Sequence, residues 1–136
     1  MKETKQKQLI MNGINRLLRD CLIENAKNHR ILTYTQLYEE SGCSLSTDFS
    51  DKYVFYDLIQ RLTEILKYEF YNERPCLTII IKREHEEMPM KEFFKLTKIL
   101  GAQAKGIQNK IFYKNELNQV FACWEHKIFH RTFKNA

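Results

Sequence analysis

Hydrophobic residues recur every three or four positions along four long stretches of the chain, which is the spacing of a helix that buries one face. Between the first two stretches, Thr33 and Gln36 have the spacing of a capping box, which predicts a further short helix that ends at Gly42. A Ser, Thr and Asp-rich turn then precedes the longest stretch, which Ser50 or Asp51 is expected to cap. The predicted helices cover about residues 5–28, 33–41, 51–71, 89–100 and 114–129.

Two segments have the composition of β-strands. Residues 31–33 are apolar and β-branched, which predicts a brief strand before the second helix. Residues 76–82 are apolar on both faces and follow Pro75, which favours an extended chain just before it, so they predict a buried strand. The segments 84–88 and 101–110 are polar and are predicted to be loops.

This order of helices and strands resembles a winged helix-turn-helix over about residues 9–83. The residues that carry the resemblance are 31–33, 35–42, 51–71 and 77–82. It implies a mostly helical α+β fold in which the two strands form a short β-sheet and the third helix contacts DNA. Residues 1–136 would form a single domain, with two additional C-terminal helices over 89–130 as an extension of the core. An acidic loop follows the one strong strand, where a wing is usually a hairpin of two strands.

The net charge of +5 is unevenly distributed. Residues 1–30 carry seven basic and three acidic side chains, residues 31–104 carry nine and twelve, and residues 105–136 carry six and two. If the two ends of the chain meet in the fold, they form one basic face, and such faces commonly attract phosphate. The alternative interpretation is a solubilising surface without a ligand.

The exposed side of the third helix is the predicted DNA-contacting surface, although it mixes acids with bases. Asp57 and Glu64 would face phosphate unfavourably, and the alternative is a solvated face on which Arg61 pairs with one of them. The N-terminal bases would add attraction to the DNA backbone. The predicted nucleic-acid-binding residues are Lys52, Tyr56, Gln60, Arg61 and Lys67 on the third helix, with Lys5, Lys7, Arg16 and Arg19 near the N-terminus.

The sequence contains no motif typical of an enzyme. Glycine-rich phosphate loops, a serine elbow and a Cys-His nucleophile pair are all absent, so we expect no catalytic residues and no cofactor. Cys123, His126 and His130 lie near one face of the predicted last helix, but three ligands on one straight helix suit tetrahedral zinc poorly. We therefore expect no metal site.

The leading functional hypothesis is a DNA-binding protein of a regulator or mobile-element type. The alternative is a protein-binding inhibitor or adaptor, such as a phage anti-defence protein, that places acidic side chains in a basic nucleic-acid channel of its partner. Those side chains would be Glu84, Glu86, Glu87 and Glu92. The chain has no apolar run of about 18 residues and no signal-peptide pattern, and its four cysteines are widely spaced, so we expect a cytoplasmic protein that does not enter a membrane. A homodimer is left open.

Overall fold

The computed structural model describes Met11 and residues 13–134, and about 66% of these residues are helical. Six α-helices and two strands of two residues each lie in the described part, together with one turn of 3₁₀ helix. The helices are α1 (Gly13–Lys27), α2 (Tyr34–Ser41), α3 (Lys52–Tyr71), α4 (Lys91–Leu100), α5 (Asn109–Glu125) and α6 (Lys127–Phe133). The strands are β1 (Leu32–Thr33) and β2 (Ile81–Lys82), and the 3₁₀ turn covers Leu77–Ile80.

The predicted helix caps are present. The Thr33 hydroxyl accepts a hydrogen bond from the Gln36 backbone N–H at 3.2 Å, and the Gln36 side chain accepts one from the Thr33 backbone N–H at 2.9 Å. Gly42 then ends α2 with a φ of 73°, in the left-handed region that suits glycine. Asp51 caps α3 by accepting from the backbone N–H of Tyr53 at 2.8 Å. These two local signals therefore fix the ends of α2 and the start of α3.

The continuous strand predicted over residues 76–82 is wrong. Leu77–Ile80 form a buried 3₁₀ turn that packs against α1, α3 and α5, and only Ile81 and Lys82 are extended. These two residues pair with Leu32 and Thr33 in a parallel sheet of two strands. A longer strand among these helices would leave unpaired backbone groups, whereas a 3₁₀ turn supplies its own hydrogen bonds. A winged-helix layout is not confirmed, because the described strands form a parallel pair rather than a hairpin wing.

The C-terminal helix is also different from its prediction. It was expected over residues 114–129, but α5 begins at Asn109 and ends at Glu125. The backbone of His126 is extended, with φ −70° and ψ 117°, and its ring accepts from the Phe129 backbone N–H that begins α6. Neither glycine nor proline lies at this break. It allows α6 to lie against α1 while Trp124, at the end of α5, stays fully buried.

The core is built around the 3₁₀ turn. Its side chains are buried together with apolar side chains of α1, α2, α3 and α5. The fully buried apolar residues include Leu18, Leu22, Ile23, Leu37, Leu58, Ile65, Leu77, Ile80 and Trp124. None of the helices in the described ranges is long and apolar enough to cross a membrane.

Candidate nucleic-acid interface

A buried ionic cluster joins α1, α3 and the segment that follows α3. The Nε of Arg19 donates to Glu69 Oε2 at 2.7 Å, and the Nε of Arg74 donates to Glu69 Oε1 at 2.7 Å. The side chains of Arg19 and Glu69 are fully buried, and that of Arg74 is 5% exposed. Both guanidinium groups also lie 5.1 Å from the centre of the Tyr68 ring. A carboxylate between two guanidinium groups satisfies charges that would otherwise be costly to bury.

The same arginine holds the end of α6. Arg19 donates from Nη1 to the carbonyl of Lys134 at 2.7 Å and from Nη2 to the carbonyl of Phe133 at 2.8 Å. The expectation that Arg19 faces DNA phosphates is therefore corrected: the side chain lies in the interior, because Glu69 and two carbonyls supply its hydrogen-bond acceptors there. Arg19 instead brings the C-terminal helix to α1.

Ion pairs at the surface complete the contact between α1 and the C-terminal helices. His130 Nε2 lies 2.7 Å from Glu24 Oε2, and Lys134 Nζ lies 3.3 Å from the same oxygen. Partial burial raises the pKa of Glu24, but hydrogen bonds from His130 and Lys134 outweigh that effect and leave the pKa below its ordinary value. Next to this contact, His29 Nε2 lies 2.6 Å from Glu125 Oε2.

These contacts form the walls of an open cleft of about 450 Å³, here called the basic cleft. Four cationic side chains line it, against a single carboxylate. The side chains of Lys27, Lys127 and Arg131 form no hydrogen bond or ion pair with another residue that the structure describes. The lining residues are Lys27, Glu125, Lys127, His130, Arg131 and Lys134. The basic cleft thus brings Lys27, from the first thirty residues, next to three Lys and Arg side chains of the C-terminal segment.

The exposed side of α3 forms a second surface, here called the α3 stripe. Tyr53 and Tyr56 are 75% and 65% exposed, and the Lys52 ammonium lies 5.3 Å from the centre of the Tyr53 ring. Glu64, within the stripe, accepts a hydrogen bond from Asn15 of α1 at 2.7 Å. The stripe consists of Lys52, Tyr53, Tyr56, Gln60, Glu64 and Lys67, all of which are exposed. Four of the five predicted α3 residues therefore lie together on one accessible side.

Arg61, the fifth predicted residue, is engaged within the fold. Its Nε donates to Asp57 Oδ2 at 2.7 Å, and its Nη1 donates to Asn15 Oδ1 at 2.9 Å. This matches the alternative in which Arg61 pairs along its own helix, and it ties α3 to α1. Arg61 is therefore a weaker candidate for DNA contact than the lysines of the stripe.

Arg16, the remaining predicted base that the structure describes, does not line the basic cleft. Arg16 is half-buried, with its Nε 3.4 Å from Asp20 Oδ1 and its Nη1 donating to the Met11 carbonyl at 3.3 Å. Lys5 and Lys7 lie outside the described residues.

The acidic loop is solvent-exposed. Glu84, Glu86 and Glu87 are exposed, and their carboxylates form no ion pair with any other residue in the described ranges. The Lys82 side chain contacts the backbone of this loop, because Lys82 Nζ donates to the Glu86 carbonyl at 2.6 Å. Glu92 is half-buried in the first turn of α4 and lines a common open pocket with Glu86. Three of the four predicted acids therefore lie on the loop, and the fourth lies at the start of the helix that follows it.

Sequence reasoning missed the cationic residues of the basic cleft. Lys127, His130, Arg131 and Lys134 have the spacing of one helix face, which is a recognisable signal, but it belongs to a helix that begins only after the break at His126. Within the described part of the chain, no group of three or more His, Cys, Asp or Glu side chains is placed to hold a metal ion. No protein-family model, curated protein or solved structure matches this chain.

Proposed function

We propose that this protein is a non-catalytic nucleic-acid-binding module, of a regulator or mobile-element type, that holds phosphates in the basic cleft. One observation carries the proposal: the basic cleft gathers four cationic side chains, and Lys27, Lys127 and Arg131 have no anionic partner among the described residues. Cations that repel one another at close range favour binding of an anion. Lysine binds phosphate as a point charge and arginine binds it through two parallel hydrogen bonds.

Duplex DNA is the proposed ligand, and the α3 stripe is its second contact. The guanidinium of Arg19 bonds both to Glu69, in the last turn of α3, and to the backbone that ends α6. The end of α3 therefore lies close to the end of α6, and we propose that a duplex longer than the basic cleft also reaches the stripe. Gln60 and Lys67 have donors that suit base edges or phosphates.

Fluorescence anisotropy of a labelled random duplex, from low to physiological salt, tests this proposal. We expect binding that weakens steeply with salt, because each bound phosphate releases counterions. The variant K127Q/R131Q should bind about tenfold more weakly and with a shallower salt dependence, because two phosphate contacts are lost.

The matched control is K95Q/K98Q, which removes the same charge from exposed positions of α4. It should change affinity less than about twofold, because charges that do not contact the ligand are screened by salt. Equal losses in the two variants would assign binding to overall charge and not to the basic cleft. Absence of binding at low salt would remove the proposal.

The acidic loop supports a second proposal, a protein partner with a basic channel. Glu84, Glu86 and Glu87 are exposed and have no cationic partner among the described residues, and His85 between them has a left-handed backbone with φ 68°. Such carboxylates can imitate a row of phosphates. A pull-down from host lysate should then recover a specific basic nucleic-acid-binding protein with the wild-type chain and lose it with E84Q/E86Q/E87Q. Recovery that is unchanged in the variant would exclude the loop.

A further inference from the structure

Each carboxylate next to the basic cleft is bonded by a histidine. Glu125, which lines the cleft, lies 2.6 Å from His29 Nε2, and Glu24, which binds the cleft residue Lys134, lies 2.7 Å from His130 Nε2. Histidine is the side chain that ordinarily changes its charge between pH 5 and 8. Glu24 and Glu125, which lower the positive charge of this site, thus each lie beside a histidine that becomes a cation when it is protonated.

The charge of the site doubles when both histidines are protonated. Four Lys and Arg side chains line the cleft, and Glu24 and Glu125 oppose them, so the described side chains give the site a charge of +2 with neutral imidazoles. Two imidazolium ions raise this to +4. The phosphate-binding surface therefore becomes more attractive to an anion as pH falls.

The same pairs hold the walls of the cleft. His130 joins α6 to α1, while His29 joins the end of α1 to α5, where its ring stacks on Phe121 with 4.5 Å between centroids. His29 reaches this position with a left-handed backbone, φ 54°. An imidazolium bonds a carboxylate more strongly than a neutral imidazole does. Protonation thus strengthens both the charge of the cleft and the contacts that form it.

The other charged groups around the two histidines do not change the conclusion that protonation makes the cleft more positive. His130 is faced by Glu24 and Lys27 from α1 and by Glu125 and the Trp124 ring from α5. On its own helix it lies among Lys127, Arg131 and Lys134. His29 is faced by Glu125 and Phe121 from α5, and its neighbour Arg30 is paired with Glu40.

We propose that protons regulate ligand binding at the basic cleft through His29 and His130, so that affinity for nucleic acid rises as pH falls from 8 to 6. This inference rests on the proposed function. The dissociation constant of the labelled duplex should increase about fivefold from pH 6 to pH 8 at constant ionic strength, because two positive charges beside the basic cleft are lost.

Three variants test the two pairs by anisotropy at both pH values. H29N and H130Q should each bind more weakly at pH 6 and flatten the pH dependence. E125Q should instead bind more tightly at pH 8, because it removes a carboxylate that the neutral His29 no longer offsets. A purely structural pair would give weaker binding for E125Q as well as for H29N, and this result would overturn the inference.

The matched control for H29N is H85N. Both replace an exposed histidine whose backbone is left-handed, and asparagine tolerates that conformation. H85N should retain the pH dependence of the wild-type chain, and E87Q should not reproduce the gain in E125Q. Binding that is equal at pH 6 and 8, or that depends on pH equally in H29N and H85N, would overturn the inference while leaving the proposed function. Absence of binding at both pH values would remove both.

Discussion

The basic cleft and the α3 stripe present cations in opposite ways. In the basic cleft, Lys27 comes from α1 and Lys127, Arg131 and Lys134 from the C-terminal segment, and all face one concave space. On the α3 stripe, the lysines stand at the two ends of a convex helix surface with a carboxylate between them. Convergence concentrates positive potential, whereas separation on an exposed surface lets solvent and salt screen it. We therefore expect the basic cleft to attract anions more strongly than the α3 stripe does.

The two surfaces also differ in what their arginines do. Arg19 and Arg74 are buried on Glu69, and Arg61 is bound to Asp57 and Asn15, so these three hold elements together. Arg131, in contrast, faces the basic cleft without a described partner. The hydrogen-bond acceptors that the tertiary structure places around an arginine thus determine whether its side chain stabilises the fold or stays available to a ligand.

The largest expected effect comes from breaking the cluster that supports the basic cleft. Glu69→Ala leaves Arg19 and Arg74 buried without their shared carboxylate, so we expect a loss of about 3–5 kcal/mol in the free energy of unfolding. Urea unfolding followed by fluorescence of Trp124, the only tryptophan of the chain, measures it directly. This ring lies 5.7 Å from the Arg19 guanidinium.

Asp57→Ala is the control for Glu69→Ala, because both carboxylates belong to α3. It also removes a carboxylate bonded to an arginine, at the same distance of 2.7 Å, but the Asp57 side chain is 48% exposed. An exposed pair of this kind contributes at most about 1 kcal/mol. If the two variants were equally stable, the buried cluster would not be what holds the C-terminal helix in place.

A smaller effect is expected from the surface pair at Glu24, and its sign follows from the direction of the pKa shift. The folded-state pKa of Glu24 lies below the ordinary value of 4.5, so the carboxylate contributes stability above that pH. The contribution is lost as pH falls through the lower, folded-state value. Because the side chain is 46% exposed, the contribution is below about 1 kcal/mol.

Urea midpoints of the wild-type chain and E24Q at pH 5.5 and pH 3 measure this contribution. The wild-type chain should be the more stable of the two at pH 5.5, and the difference should shrink toward pH 3, because the Glu24 carboxylate takes up protons as pH falls through its lowered pKa. E87Q, which changes an exposed loop carboxylate, should show no such difference at either pH. A gap between the wild-type chain and E24Q that persists at pH 3 would contradict the role of the charged pair.

The sequence predicted those parts of the structure whose causes are local. The capping box at Thr33 and the cap at Asp51 depend on side chains within three residues of the backbone they bind. The capping box was predicted, and Asp51 is one of the two residues that were predicted to cap α3. The 3₁₀ turn at Leu77–Ile80 was not, because its β-branched composition favours a strand and only the surrounding helices exclude one.

The site was less predictable than the fold for the same reason. The uneven charge predicted one basic face if the two chain ends meet, and the basic cleft contains three Lys and Arg side chains of the C-terminal segment but only Lys27 of the first thirty residues. The burial of Arg19 depends on Glu69, fifty positions away, and no periodic pattern reveals such a partner. The break at His126 is likewise set by the docking of α6 on α1, with neither Gly nor Pro to mark it.

The smallest expected effect provides the sharpest test of the difference between the two surfaces. K52Q/K67Q removes two charges from the α3 stripe, the same number that K127Q/R131Q removes from the basic cleft. Both pairs are exposed, so neither change should alter the unfolding midpoint beyond about 0.5 kcal/mol. If convergence governs binding, K52Q/K67Q should raise the dissociation constant of the duplex less than about twofold, against about tenfold for the cleft variant. Equal losses would mean that only total charge matters, and a larger loss in the stripe variant would make α3 the principal DNA-contacting element, as its exposed residues alone predicted.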